Sequence, residues 1–298
     1  MIYDVIIIGL GAAGLSASIY AKRSGLNVAV INFSTPGGII NESSIVENYP
    51  GFKSISGPDL AFNFFEHFNS LDVPLFNEEV VDVIDGDIKK VITKNNEYSA
   101  KKVIICSGRK PRKLGLENED KFFGRGISYC TLCDGNLYKD KTVCVVGGGN
   151  SALESINYLG DICKKVYLLV RSNRIIADES LVEKAKSLEN VDILFDTRIE
   201  NFIINDEKIV GVKINTGELE VDGVFVNIGY EPSINILKSL DVEMDRNYII
   251  VDKNMETSVN GIYACGDIIK KDLYQLVTAV SEGAIAATSV YNNLKYKK

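Results

Sequence analysis

Short runs of β-branched residues alternate along the chain with stretches of helical character, the pattern of an α/β protein with parallel sheets. Val5–Ile8 is apolar throughout and predicts a buried strand. Gly9-Leu-Gly11-Ala-Ala-Gly14 follows it, then a helix through about Ser24 and a second strand over Val28–Ile31. The plan recurs about 138 residues later. There Thr142–Val146 predicts a strand, Gly147-Gly-Gly149-Asn150-Ser151-Ala152 a turn into a helix, and Val166–Val170 the next strand. Near the C-terminus, Ile262–Cys265 predicts a third buried strand, ending in a Gly266-Asp267 turn. The Ala-rich helix expected over Leu276–Leu294 would pack under the first repeat.

This order predicts two Rossmann-like dinucleotide-binding domains, the second inserted into the first. The expected boundaries are 1–113 with 245–298 for the first domain and 114–244 for the second. A length of 298 residues is long for one core and suits two.

The glycines explain what such domains would hold. At the first turn Gly9 supplies the tight bend, Gly11 lets the backbone approach a pyrophosphate, and Gly14 lets helix and strand close together. Ala12 and Ala13 would place their amides at the positive end of the helix. An acid usually ends the second strand to hold the ribose, and Asn32 stands near that place. At the second turn Ala152 replaces the third glycine, a variant often associated with NADPH, and Gly147, Gly149, Asn150 and Ser151 would cradle the second dinucleotide.

Charge narrows the field further. A formal net charge of −7 argues against a nucleic-acid surface. No stretch approaches the ~18 uncharged apolar residues of a membrane span, and no basic leader with a cleavage site is seen, so a cytoplasmic protein is expected. Of the six cysteines, Cys106, Cys144, Cys163 and Cys265 lie in apolar or mixed surroundings and read as core thiols. Cys130-Thr-Leu-Cys133 differs. A structural zinc site needs four ligands, yet there is no second such pair and the single histidine, His67, is far off in sequence on an expected amphipathic helix. A redox dithiol fits better, one thiolate attacking a disulfide and the other resolving it, with Asp134 beside them to move a proton.

Several blocks occur in order along the whole chain: Gly9 to Gly14, Val46-Glu-Asn48-Tyr-Pro-Gly-Phe, Gly57-Pro-Asp-Leu, Pro111-Arg-Lys-Leu-Gly, Gly124-Arg-Gly-Ile-Ser-Tyr-Cys130-Thr-Leu-Cys133-Asp134-Gly, Gly147 to Glu154, and Gly261-Ile-Tyr-Ala-Cys-Gly266-Asp267. In this the chain resembles the bacterial low-molecular-weight thioredoxin reductases. The resemblance implies FAD across the first domain, with Gly266 and Asp267 near its ribityl and pyrophosphate and the loop of Glu47 and Asn48 beside the flavin. Gly38, Gly108, Tyr274 and Gln275 would also border it. Cys133 would face the isoalloxazine, Cys130 would attack the partner's disulfide, and Asp134 would serve as acid. The implied partner is a thioredoxin or thioredoxin-like protein, and the implied assembly a homodimer whose second domain swings.

Three departures bear on the electron donor. Where the family carries His-Arg-Arg and a further arginine, this chain reads Val170-Arg171-Ser172-Asn173-Arg174-Ile175-Ile176, keeping only Arg171 in register. Tyr274-Gln275 replaces an Arg-Gln pair, and Gly37-Gly38-Ile39 a Gly-Gly-Gln loop. The expectation is weak use of both NADPH and NADH with little discrimination, reduced ferredoxin being the alternative donor. The alternative from another class is a non-catalytic flavin redox sensor. A flavin reductase or ferredoxin–NADP reductase relative is disfavoured, because those lack a redox Cys-x-x-Cys.

Overall fold

In the computed structural model, which describes residues 1–43 and 45–296, the first buried strand is Ile2–Ile8. Val5, Ile6 and Ile7 are fully buried, as a parallel strand covered on both faces must be. It lies between Val28–Ile31 and Glu97–Ile105, parallel to both. The last strand, Ile262–Ala264, pairs in parallel with the end of Glu97–Ile105. Register brings Ile8, Ile31, Ile105 and Ala264 to one level, so the carboxyl ends of four parallel strands form one rim. Ligands of open α/β sheets bind at such a rim. The outer part of the sheet is antiparallel: Val80–Ile84 pairs with Lys89–Thr93, and that strand with the start of Glu97–Ile105.

The helix Ala12–Arg23 leaves the first strand through the glycine turn and carries seven buried residues. The long C-terminal helix Leu276–Tyr296 packs on it, with Ser16 Oγ donating to the Val280 carbonyl at 2.7 Å. Ala13, Ala17, Ala21, Ala279, Ala286 and Ala287 share that core; small side chains let the two helices approach closely.

The second unit repeats the scheme. Its parallel sheet runs, in spatial order, Val191–Leu194, Lys165–Leu169, Thr142–Val146, Gly223–Val226 and Ile127–Ser128. An antiparallel sheet of Ile199–Asn205, Lys208–Ile214 and Gly217–Glu220 covers one side, placing Phe202, Val212 and Ile214 against Val224 and Cys144. The helix Asn150–Gly160 covers the other, through Ala152, Leu153, Ile156 and Leu159.

The chain divides into Met1–Lys110 with Glu231–Lys298, and Pro111–Tyr230. Two segments therefore fall on the other side of the expected boundaries. Residues 231–244 belong with the first unit, because Ile236, Leu237, Leu240 and Val242 join Ile6, Ile8 and Ala29 in one core. Pro111 to Lys113 go with the second, where the Arg112 N–H donates to the Gly229 carbonyl at 2.9 Å. No helix among the described residues is long and apolar enough to cross a membrane.

Candidate active site

At the carboxyl rim of the first unit lies a cavity of about 400 Å³, within the range of small-molecule sites. Gly9, Gly11, Ala12, Ala13, Asn32, Gly38, Asn48, Gly108, Gly266, Asp267, Tyr274 and Gln275, all expected at the cofactor, line it. Gly14 lies just behind. A Cβ there would stand 1.9 Å from the Gly9 carbonyl oxygen, so only glycine lets the helix start this close to the strand. Gly9 itself has φ +95°, a left-handed value that glycine takes freely. Gly11 is different: the nearest atom to a Cβ there is the Gly37 carbonyl, 4.0 Å away, so its backbone faces the cavity. The helix after it has no side-chain cap and no acid in its first turn. Its amides are left for an anion, which fits a dinucleotide pyrophosphate.

Asn32 does more than border the cavity. Its side-chain carbonyl accepts the Leu10 N–H at 3.0 Å, and its amide donates to the Ser34 carbonyl. It thus holds the glycine turn in shape. Asn48 Nδ2 donates to Gln275 Oε1 at 3.0 Å, joining two of the expected residues across the cavity.

Asp267 sits at the centre of a charged cluster that sequence reasoning missed. Arg109 donates to Asp267 Oδ2 from Nε at 3.1 Å and from Nη2 at 2.7 Å. Lys271 is 3.5 Å from Asp267 and 2.8 Å from Glu282, and Glu282 accepts the Gly266 N–H at 2.9 Å. Burial pushes the Glu282 carboxyl above its ordinary range, against the pull of Lys271 and the Gly266 amide. The Arg109 guanidinium lies 4.7 Å from the Tyr274 ring centre and the Lys271 ammonium 5.4 Å from it. The faint signal for this cluster was Arg109 opening the short strand Arg109–Pro111 and Lys271 four residues beyond Asp267.

In the second unit, Cys130 and Cys133 are joined by a disulfide, their Cα atoms 5.3 Å apart. Cys130 caps the short helix Thr131–Asp134, its Sγ accepting the Cys133 N–H at 3.1 Å. The preceding residue is pinned as well. Tyr129 donates to Glu119 at 2.6 Å, and the buried Glu119 also accepts the Leu114 and Gly115 amides, each at 2.8 Å. The second glycine turn opens the helix Asn150–Gly160, again without a side-chain cap. Asn150 exchanges hydrogen bonds with Asp178 instead, at 2.8 and 2.9 Å. Ile176 N–H donates to the Gly148 carbonyl at 2.7 Å, which lays the loop of Arg171 to Ile176 along the turn. Arg171 and Arg174 are exposed beside it.

Residues 3–283 match the pyridine nucleotide-disulphide oxidoreductase family. The thioredoxin reductase of Mycoplasma genitalium is 39% identical, over 99% of this chain and 96% of that one. The chain belongs to the thioredoxin reductase family. Among solved structures, the thioredoxin reductase of Lactococcus lactis in its FR conformation aligns with a TM-score of 0.87 at 35% identity, over 97% of this chain and 98% of that one. A ferredoxin-flavin thioredoxin reductase from Clostridium acetobutylicum aligns at 0.56 and 33%, over 99% of each chain.

The chemistry is that of an FAD-dependent oxidoreductase. The other four cysteines are buried thiols. Cys144 and Cys265 are fully buried, and Cys106 and Cys163 are 6% exposed. Cys106 and Cys265 end neighbouring strands, sulfur to sulfur at 3.3 Å, and share a hydrogen bond. Their hydrogen bond and burial push the Cys265 thiol up, which keeps it protonated and unreactive.

Proposed function

We propose that this protein is an FAD-dependent thioredoxin-disulfide reductase drawing on a pyridine nucleotide. The observation that carries the reading is the Cys130–Cys133 disulfide set against the helix of a dinucleotide turn. FAD, when bound, supplies two-electron transfer between a nicotinamide and a disulfide. The Gly9–Gly14 turn and the amides of Ala12 and Ala13 would hold its pyrophosphate, with Asp267, steadied by Arg109, at the same rim. The Gly147–Ala152 turn would hold the nicotinamide dinucleotide, with Asn150, Ser151 and Arg171 beside it.

Reduction of Cys130–Cys133 takes two electrons and leaves two thiols. The Cys130 thiol gives its proton to Asp134 and, as thiolate, attacks one sulfur of the partner's disulfide, forming a mixed disulfide and expelling the partner's other sulfur as thiolate, which takes that proton back from Asp134. The Cys133 thiol then attacks Cys130 Sγ, its proton passing to the partner's departing sulfur, which leaves as the second thiol while the Cys130–Cys133 bond is restored. The partner is a thioredoxin or thioredoxin-like protein in the cytoplasm, and the working form a homodimer.

Ser172 and Ile176 stand where arginines would grip a 2′-phosphate, which favours a second reading: a donor other than NADPH, reduced ferredoxin among them. Anaerobic titration of the yellow holoenzyme with NADPH, NADH and reduced ferredoxin, followed by turnover of thioredoxin disulfide, tests both. Full reduction and repeated turnover with NADPH supports the first. Bleaching by reduced ferredoxin alone overturns the pyridine-nucleotide donor. Reduction without any turnover of a partner disulfide leaves a redox sensor in place of an enzyme.

A further inference from the structure

Thr131, the first residue between the two cysteines, is 7% exposed, and its Oγ1 donates to Ser155 Oγ at 2.7 Å. Ser155, 5% exposed, sits on the helix Asn150–Gly160 and donates to the Ser151 carbonyl at 2.8 Å. It also accepts a bond from Asn227 Nδ2 at 2.7 Å. Asn227 directly follows the strand Gly223–Val226, and its Nδ2 also reaches the Ser151 carbonyl at 3.1 Å. The Ser155 hydroxyl therefore donates once and accepts twice, using its whole capacity. A second contact fixes the same docking: a Cβ on Gly135 would fall 2.7 Å from the Tyr158 ring of that helix. The redox turn is thus fastened to the element that opens at the second dinucleotide turn.

We propose that the Thr131–Ser155 hydroxyl pair is a positioning device that sets the reduction potential of Cys130–Cys133. The proposal rests on the redox role given to that pair above. Reduction breaks the S–S bond, takes up two electrons and two protons, and leaves two thiols. A dithiol on a loose backbone gains conformational freedom that its disulfide lacks, so its reduced form is favoured and its potential rises. A dithiol held by Ser155 gains little, and its potential stays low. Thr131 and Ser155 touch no reacting atom and act only through the cysteines' backbone.

The test equilibrates the holoenzyme anaerobically in dithiothreitol and glutathione buffers. Cys130 and Cys133 are trapped by alkylation and read by peptide mass. Thr131→Val and Ser155→Ala should each shift the equilibrium about 10-fold toward the dithiol, a potential about 30 mV more positive. Thr131→Ser, which keeps the hydroxyl, should stay close to wild type. Flavin content reports folding, and Ser155→Ala carries the test should Thr131→Val fold poorly. Wild-type potentials in both variants, with only a lower melting temperature, would overturn the proposal and leave the pair a structural contact. Wild-type turnover of thioredoxin disulfide is measured alongside. Its absence would bring down the functional reading instead, whatever the variants' potentials.

Discussion

The six cysteines separate by environment. Cys133 is exposed and Cys130 half-buried, while burial holds the Cys163 thiol at about 11 and raises Cys144, and the Cys106 hydrogen bond together with burial raises Cys265. After reduction, a thiol reagent at pH 8 should therefore label Cys130 and Cys133 in the native protein and spare the other four; peptide mass mapping reads this. Labelling of Cys106 or Cys265 at a comparable rate would contradict the burial argument. Cys130→Ser and Cys133→Ser should each lower turnover by roughly 10³-fold or more, as removing a nucleophile does, with flavin content unchanged. Asp134→Asn should slow turnover by about 10²-fold, the lower end of what a general acid contributes, without loss of folding. Of the three residues, the sequence motif named each, but it could not show that Tyr129 and Thr131 on either side are tied to Glu119 and Ser155. Those partners lie 10 and 24 residues away, and neither carries a motif.

Elements that repeat a simple pattern were legible. The continuous apolar runs at Val5–Ile8 and Thr142–Val146, each followed by glycines, announced parallel strands and their turns, because such strands are buried on both faces. The antiparallel strands over 80–105 and 199–220 escaped, since their polar and apolar residues alternate only in part. Residues 231–244 fall with the first unit rather than the second, and it is the packing of Ile236, Leu237, Leu240 and Val242 that shows it. Of the charged cluster only Asp267 was legible, its partner Arg109 being 158 residues away. At the first turn, Gly14→Ala should displace the helix and weaken FAD binding at least 10-fold, as flavin retention on gel filtration would report. At the second, the arginines that the chain lacks are the measurable feature. Each charge-assisted hydrogen bond to phosphate contributes roughly 1.5–3 kcal/mol. Ser172→Arg combined with Ile176→Arg should therefore raise the NADPH preference, as a ratio of kcat/KM to that with NADH, by about 100-fold. A wild-type enzyme already strongly selective for NADPH would mean that Arg171 and Arg174 suffice.

At the scale of the whole molecule, the first unit holds several carboxylates with shifted affinities for protons. Burial alone would raise Asp4, but Lys101 and the Asn27 N–H bind it and hold it below its ordinary range. Burial is likewise outweighed at Asp82 by the Ser239 hydroxyl and amide, and Lys89 holds Asp85 down. A lowered folded value means stability that is present above the unfolded value of about 4 and lost as the pH falls through the folded one. Glu282 has the opposite sign. Its raised value works against folding at neutral pH, and that cost is relieved as the pH falls toward about 4.3, the value of a free glutamate. The first unit should therefore hold steady or gain slightly in stability from pH 7 to 5, then lose it below pH 4. The second unit should respond less. Hydrogen exchange in urea, resolved by peptide at pH 7, 5 and 3.5, separates the two units. Equal loss of protection in both units at pH 3.5, or a steady decline in the first from pH 7 to 5, would show that these local carboxylates do not govern acid stability. Glu282→Gln gives a second check on the sign. It removes the titrating group while keeping an acceptor for the Gly266 N–H, so any gain between pH 7 and 5 should vanish while the loss below pH 4 remains.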